Sequence, residues 1–343
     1  MQRLKIVVAG AGSIGRTHIA LIRQAPECRL HAIVDPSPAT QAFAAEMDVP
    51  QFQSLSDLLD GERPDGVIIA TPNAIHAENA IACLQRRIPV LIEKPIADTL
   101  ENAERIIAAA ERNETAVLVG HHRRHNPIIQ RARDVVAGGK LSRIATAAAF
   151  TIFLKPDAYF DVAWRREPGG GPVLTNLIHT IDDLRFMCGE IVNLSAMTSN
   201  VLRGFPVEDS AVVTLQFASG ALGALTASDS GAAPWSWELT SGENPEYPNE
   251  PEDCYFIAGT HRSIAVPSLR PWSYAQGRGW NEPLGREDLK VERANPLARQ
   301  LSHFCAVIRG AAQPLVDARD AARTLAATVG IHAAAQRRET LRL

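Results

Sequence analysis

The first 120 residues of the chain alternate between two kinds of apolar pattern. Short, largely apolar runs at 4–9, 30–34, 66–70, 89–92 and 116–119 read as strands buried on both faces. Between them, in 14–24, 38–47, 56–60, 74–86 and 100–113, apolar residues recur at helical spacing. Such alternation predicts βαβ units in a doubly wound parallel sheet, with the loops after the strands gathered along one edge. From about residue 127 the pattern changes. Here 127–137 and 173–188 read as helices, and 141–154, 191–200, 209–217 and 221–228 as strands of a mostly antiparallel sheet, with Gly220 marking a turn. Segments 296–310 and 318–336 read as closing helices. Residues 229–283 read as one long irregular segment rich in aromatic residues, among them Trp235, Trp237, Tyr247, Tyr255, Trp272, Tyr274 and Trp280. Those rings suit a wall for a sugar-like ligand and an oligomer interface equally well.

Length and charge narrow the function classes. A chain of 343 residues accommodates two domains. The net charge is -3, with acids and bases mixed and no basic face, which argues against nucleic acid as a partner. The longest apolar runs are strand-sized, so no membrane span is expected. Residues 1–5 lead directly into the first strand without the pattern of a secretory signal. Five cysteines at 28, 83, 188, 254 and 305 form no CxxC pair, and their number is odd. They read as small buried hydrophobes in a reducing, cytoplasmic compartment.

Gly10-Ala11-Gly12-Ser13-Ile14-Gly15 lies between the first strand and the first helix. In that context Gly10 permits a tight turn, Gly12 lets backbone approach a pyrophosphate, and Gly15 lets helix and strand pack closely. The helix N-terminus offers free amides to phosphate. Asp35 ends the second strand, where a carboxylate accepts ribose hydroxyls and repels a 2′-phosphate. These residues predict a Rossmann domain that takes NAD in preference to NADP.

Two further strand-end loops carry chemistry. One is Thr71-Pro72-Asn73-Ala74-Ile75-His76, the other Glu93-Lys94-Pro95. A lysine between an acid and a proline, at the edge where an open sheet binds ligand, is a candidate for contact with substrate. Proline also raises the chance of a cis bond that aims it. With Gly120-His121-His122-Arg123-Arg124-His125-Asn126-Pro127, Gly169-Gly170-Gly171, His179-Thr180-Ile181-Asp182, Asn295-Pro296-Leu297 and Gln300-Leu301-Ser302-His303-Phe304, the chain resembles the Gfo/Idh/MocA family, the glucose-fructose oxidoreductase and inositol dehydrogenase superfamily. The resemblance covers nearly the whole length.

The resemblance implies an α/β fold with the NAD-binding Rossmann domain over 1–123. A substrate-binding and oligomerising α+β domain would cover 124–343, its last helix, about 317–336, packing back on the first domain. It implies Lys94 beside both the reacting hydroxyl and the nicotinamide, touching substrate and cofactor, and His179 as the proton-transfer group. Thr71, Pro72, Asn73, His76, Glu93 and Arg124 would stand on the cofactor side, with Arg124 and Asn126 in a segment near the domain interface. Many members carry aspartate four residues before the histidine; here that position is Thr175, followed by Asn176. Thr175 shares a helix face with His179 but cannot hold an imidazolium by charge. Asn176 offers a neutral amide.

Lys155, Tyr159, Trp164 and Arg165 precede the glycine triplet. The cations suit a carboxylate or polyol substrate, and equally a surface on which their stems snorkel. The three glycines read as a hinge over the cofactor, His18 as structural, and Asp182 and Asp183 as local partners of Arg185. His121, His122 and His125 form no metal site on this reading, since adjacent histidines on an extended chain point apart and no carboxylate or thiolate completes a set. The expected activity is reversible hydride transfer between a nicotinamide and a secondary hydroxyl of a sugar, polyol, sugar acid or cyclic diol, by a homodimer or homotetramer. Two rivals stand beside it: a glycosidase using bound NAD in a redox-elimination cycle, and a non-catalytic dinucleotide sensor.

Overall fold

A computed structural model describes residues 2–343 and divides the chain into two compact units. The first holds the residues up to His125 together with Asn295–Leu325, and the second holds Asn126–Ala294 with Ala326–Leu343.

In the first unit, strands β1 (Leu4–Ala9), β2 (Cys28–Val34), β3 (Gln51–Phe52), β4 (Gly66–Ile69), β5 (Val90–Ile92) and β6 (Val117–Val119) form one sheet in the order β3-β2-β1-β4-β5-β6. Every pairing is parallel. The apolar runs are continuous because both faces are covered: β4, β5 and β6 are buried throughout. Helices α1 (Ser13–Gln24), α2 (Ala39–Glu46), α3 (Leu55–Gly61), α4 (His76–Leu84) and α5 (Leu100–Arg112) make the connections. Ser54 and Thr99 cap α3 and α5, their hydroxyls accepting the amides of Asp57 and Asn102. One core joins Ile6, Val8, Ile19, Ile22, Ile33 and Ile68 to Leu301, Phe304 and Cys305 of the later helix Pro296–Ile308. The short strand β3 had no sequence signal, having only two residues.

The second unit contains α6 (Pro127–Ala137), β7 (Ile144–Ile152), α7 (Ile178–Cys188), β8 (Ile191–Ser199), β9 (Ser210–Phe217), β10 (Leu222–Ser228), α8 (Trp237–Thr240), β11 (Tyr255–Gly259), β12 (Arg262–Val266), β13 (Arg270–Tyr274), β14 (Leu284–Arg286) and β15 (Leu341–Arg342). Its nine strands run β14-β13-β12-β11-β7-β10-β9-β8-β15, antiparallel except for β10 on β7. In β9 buried and exposed residues alternate. The inner face, with Ala147, Ala149, Val213, Leu215 and Leu225, packs on Ile129 and Ala132 of α6 and Leu184 of α7. Helices α9 (Pro296–Ile308) and α10 (Ala318–Arg337) complete the elements.

The reading of 229–283 as irregular is corrected here. That segment supplies β11, β12 and β13, three neighbouring strands of the large sheet. Tyr255 and Ile257 face the core while Phe256, on the opposite face, is apolar as well, so the period-two contrast that marks a half-buried strand is missing. Pro271 inside β13 removes a further signal.

Candidate active site

Strands β1, β4 and β5 are parallel neighbours, so the loops after them share one edge of the first unit's sheet. After β1, Gly10 has φ +94°, and a Cβ there would collide with the Ala70 carbonyl. Nothing stands within 4 Å of a Cβ placed on Gly12, and Gly12 and Ser13 are exposed. No side chain caps the N-terminus of α1. Free amides therefore face open space at the positive end of a helix, the arrangement that receives a pyrophosphate. Asp35 follows β2, half-exposed, its Oδ2 accepting the Ala11 amide at 2.8 Å and its Oδ1 the Ser37 amide at 2.8 Å. A carboxylate offers about four acceptor positions, so capacity remains for ribose hydroxyls. These residues fit NAD.

After β5, Lys94 is half-buried and the Lys94–Pro95 bond is cis. Its neighbour Glu93 is buried, with Oε1 2.7 Å from Nε2 of His18 on α1 and Oε2 accepting the Lys94 amide at 3.3 Å. Burial pushes the Glu93 carboxyl up, but the His18 hydrogen bond and the charges of His18, His122 and Lys94 outweigh it, leaving the pKa below the ordinary value. His18 thus has a named partner that sequence could not supply, because the two residues are 75 positions apart.

After β4, Pro72 and Asn73 are exposed, whereas His76 is fully buried. Its Nδ1 lies 2.9 Å from the Pro95 carbonyl and its Nε2 2.9 Å from the Thr71 carbonyl. Both ring nitrogens are thus turned to backbone, and His76 braces the loops after β4 and β5. Arg124 is also buried, 2.5 Å from Asp320 at the start of α10. Its guanidinium is tied to that carboxylate. Residues 122–125 form a 3₁₀ turn, not the extended chain expected. Burial and the charges of His303, His122, Arg299 and Arg124 push His125 down to about 3.

In the second unit, the helix read over 173–188 begins as a π-helical turn, Val173–Leu177, and continues as α7. π turns inside helices recur at functional sites. This one carries Thr175 and Asn176, both half-buried, one turn before His179, which is 7% exposed. Thr175 Oγ1 accepts from the Lys155 ammonium at 3.2 Å and can donate to the Gly171 carbonyl at 2.8 Å or to Asn176 Oδ1 at 2.9 Å. Lys155 is buried, lies 3.9 Å from Asp229 and sits over the Tyr159 ring at 4.7 Å. Asp229 in turn accepts from Arg203 Nε at 2.8 Å. Between the two readings left open for these cations, burial excludes a snorkelling Lys155. Arg165 stacks on Tyr159 at 4.0 Å and bonds its carbonyl at 2.7 Å, while Trp164 is exposed.

Sequence reasoning missed Glu208. Its Oε1 accepts the Val173 amide at 3.0 Å and so holds the start of the π turn, while Oε2 lies 3.0 Å from His332. No motif marks it. The glycine triplet, expected to be a hinge, is instead a packing site: a Cβ on Gly170 would strike the Trp164–Arg165 backbone, and one on Gly171 would strike Glu208. Arg185 pairs with Glu190 at 2.8 Å and stands 3.9 Å from Asp182. Asp183 accepts from Tyr255 at 2.7 Å, a contact across the unit's core rather than a local one.

Comparison with known proteins agrees with this arrangement. Residues 4–121 match the family model described as an oxidoreductase family with NAD-binding Rossmann fold, and 129–265 match the GFO/IDH/MocA C-terminal domain. The rhizopine catabolism protein MocA of Rhizobium meliloti is 28% identical over 200 residues, 58% of this chain and 62% of that protein. The 1,5-anhydro-D-fructose reductase of Ensifer adhaerens is 26% identical over 300 residues, 86% of this chain and 84% of the relative. Among solved structures, the WlbA dehydrogenase of Bordetella pertussis, in complex with NADH and UDP-GlcNAcA, superposes with a TM-score of 0.80 at 23% identity, covering 100% of this chain and 99% of that one. The myo-inositol 2-dehydrogenase of Lactobacillus plantarum does so with a TM-score of 0.80 at 18% identity, covering 100% of each chain. With both of its domains matched, the chain belongs to the GFO/IDH/MocA family and is an NAD-binding oxidoreductase.

Proposed function

We propose that this enzyme oxidises a secondary hydroxyl of a sugar, polyol, sugar acid or cyclic diol, reversibly, with NAD. The observation that carries the reading is the placing of Lys94. It follows β5, on the sheet edge that also carries the uncapped glycine turn and Asp35. Relatives whose names specify inositol 2-dehydrogenase and 1,5-anhydro-D-fructose reductase support the substrate class.

Gly10, Gly12, Ser13 and the α1 amides would hold the pyrophosphate, and Asp35 the adenine ribose. NAD supplies the hydride-accepting chemistry when bound. Lys94 donates a hydrogen bond to the substrate oxygen and stabilises the negative charge that builds there as the carbinol proton leaves. His179, on α7 of the second unit, is an imidazole suited to accept a proton in oxidation and return it in reduction, since imidazoles change charge near neutral pH. Thr175 and Asn176, one turn before His179, offer polar groups to a hydroxylated ligand, and the Lys155 ammonium adds positive charge beside Thr175.

The outer face of the large sheet, with Val212 on β9, Leu222 on β10 and Phe256 on β11 exposed, supports a homodimer or homotetramer. The reading is tested with purified protein, NAD and a panel of inositols, aldoses, alditols and aldonates, following the absorbance of reduced nucleotide. A hydroxylated compound that reduces NAD is expected. A panel without one, at full NAD binding, refutes it.

A further inference from the structure

We infer that His18 and His76 are positioning residues for Lys94, each pinning one of its two chain neighbours from a different helix. The inference rests on the reading of Lys94 as the lysine that meets the substrate oxygen. On one side, Glu93 is held by its carboxylate to His18 of α1 at 2.7 Å. On the other, the carbonyl of Pro95 is held by Nδ1 of His76, the first residue of α4, at 2.9 Å. Both histidines have no exposed surface.

The Glu93 side is boxed as well as bonded. Oε2 accepts the Lys94 amide, so the carboxylate that His18 grips also holds the lysine's own backbone. Behind it is Gly120, just past β6, where a Cβ would lie 3.1 Å from both carboxylate oxygens. The carboxylate therefore occupies space that a side chain at position 120 would crowd. Nδ1 of His18 is buried and makes no hydrogen bond, so the ring's whole polar contact is with Glu93. Leaving a buried ring nitrogen without a partner costs stability, and the Glu93 contact is what the fold gains there.

The charges facing Glu93 come from three elements: His18 on α1, His122 in the turn after β6, and Lys94 beside it. Removing the His18 contact leaves burial as the dominant influence on the carboxyl and raises its pKa. A protonated Glu93 no longer accepts the Lys94 amide equally well, and the lysine turn loosens. Small misplacements of a reacting group carry large penalties in rate. On the other side, loss of the His76 ring removes its contacts with the Pro95 and Thr71 carbonyls, one of which the single N–H of a neutral ring can hold.

The test compares His18→Leu, His18→Gln, His76→Leu and His76→Gln with wild type. Turnover of the fastest compound in the panel above is followed from acid to alkaline pH, and NAD affinity by quenching of intrinsic fluorescence. In His18→Leu, kcat should fall on the order of 10–100-fold at neutral pH and recover as pH rises and Glu93 ionises, with NAD affinity little changed. His18→Gln keeps a donor at the Nε2 position and should return most of the rate without the pH limb. His76→Leu should lower kcat at every pH, with Gln rescuing it. If His18→Leu does not fold, Glu93→Gln serves in its place, because it removes the charge while keeping the shape, and it should lower kcat in the same way. Wild-type kcat in the Leu variants or in Glu93→Gln overturns the inference, as does a His18→Leu loss that is uniform in pH and not rescued by Gln. Turnover by Lys94→Ala would instead refute the function on which the inference rests.

Discussion

The ammonium of Lys155 donates to Thr175 Oγ1 across 3.2 Å, so the hydroxyl one helical turn before His179 is engaged from outside its own helix. A threonine in that setting can orient neighbours but carries no charge to stabilise an imidazolium. Thr175→Ala should therefore cost little turnover. His179→Ala should cost roughly 10²–10⁴-fold, the usual size of a general acid–base contribution. Lys94→Ala should abolish turnover and leave NAD affinity nearly intact. Steady-state kinetics on the three variants checks this order. Equal losses for Thr175→Ala and His179→Ala would place Thr175 in the chemistry.

Cofactor choice depends on Asp35. Its carboxylate is fixed by two backbone amides and would meet a 2′-phosphate as a like charge. Wild type should bind NADH more tightly than NADPH, and Asp35→Ser should narrow the gap by a factor of ten or more, about 1.4 kcal/mol. Titration of both nucleotides against both proteins decides it, and tighter NADPH binding by wild type contradicts the account.

Stability should fall in acid partly through His125. Its folded pKa is depressed to about 3 by burial and by the neighbouring cations, while the unfolded chain titrates near 6.5. Between those values the unfolded state binds the extra proton, so stability rises with pH and is lost as pH falls below about 6.5. Glu93 adds a loss of the same sign at lower pH, its carboxyl being depressed in the fold. Unfolding free energies from urea titrations at pH 6.5 and 5 should differ by about 1–2 kcal/mol more in wild type than in His125→Phe. Equal pH dependence in the two proteins would contradict this.

The exposed apolar residues Val212 and Leu222 lie on adjacent strands of the large sheet. Sedimentation at micromolar concentration should give a species heavier than a monomer. Val212→Asp combined with Leu222→Glu should shift it toward the monomer. A monomeric wild type refutes assembly through this face.

The nucleotide edge was legible because each of its parts is local in sequence. Gly10 to Gly15, Asp35 and the two proline turns lie at strand ends that short apolar runs make visible. The partners that fix them were not. His18 with Glu93, His76 with Pro95 and Arg124 with Asp320 pair across 75, 19 and 196 positions, and only the folded topology brings them together. The large sheet was half-read for a different reason. Strands β7 to β10 reveal themselves by length, whereas β11 to β13 have only five residues each, apolar on both faces in β11 and broken by proline in β13. The sequence also left Lys155 between a substrate contact and a snorkelling surface charge, and its burial, with the ammonium over the Tyr159 ring, removes the second.

The central claim is that Lys94 serves an NAD-linked oxidation of a secondary alcohol. Its most direct test is the absorbance of reduced nucleotide in two parallel incubations with NAD and the panel compound that responds, one with wild type and one with Lys94→Ala. Wild type should accumulate NADH in proportion to substrate consumed, while Lys94→Ala should bind NAD and accumulate none. Cleavage of a glycoside without net NADH, or NADH formation by Lys94→Ala at the wild-type rate, would contradict it.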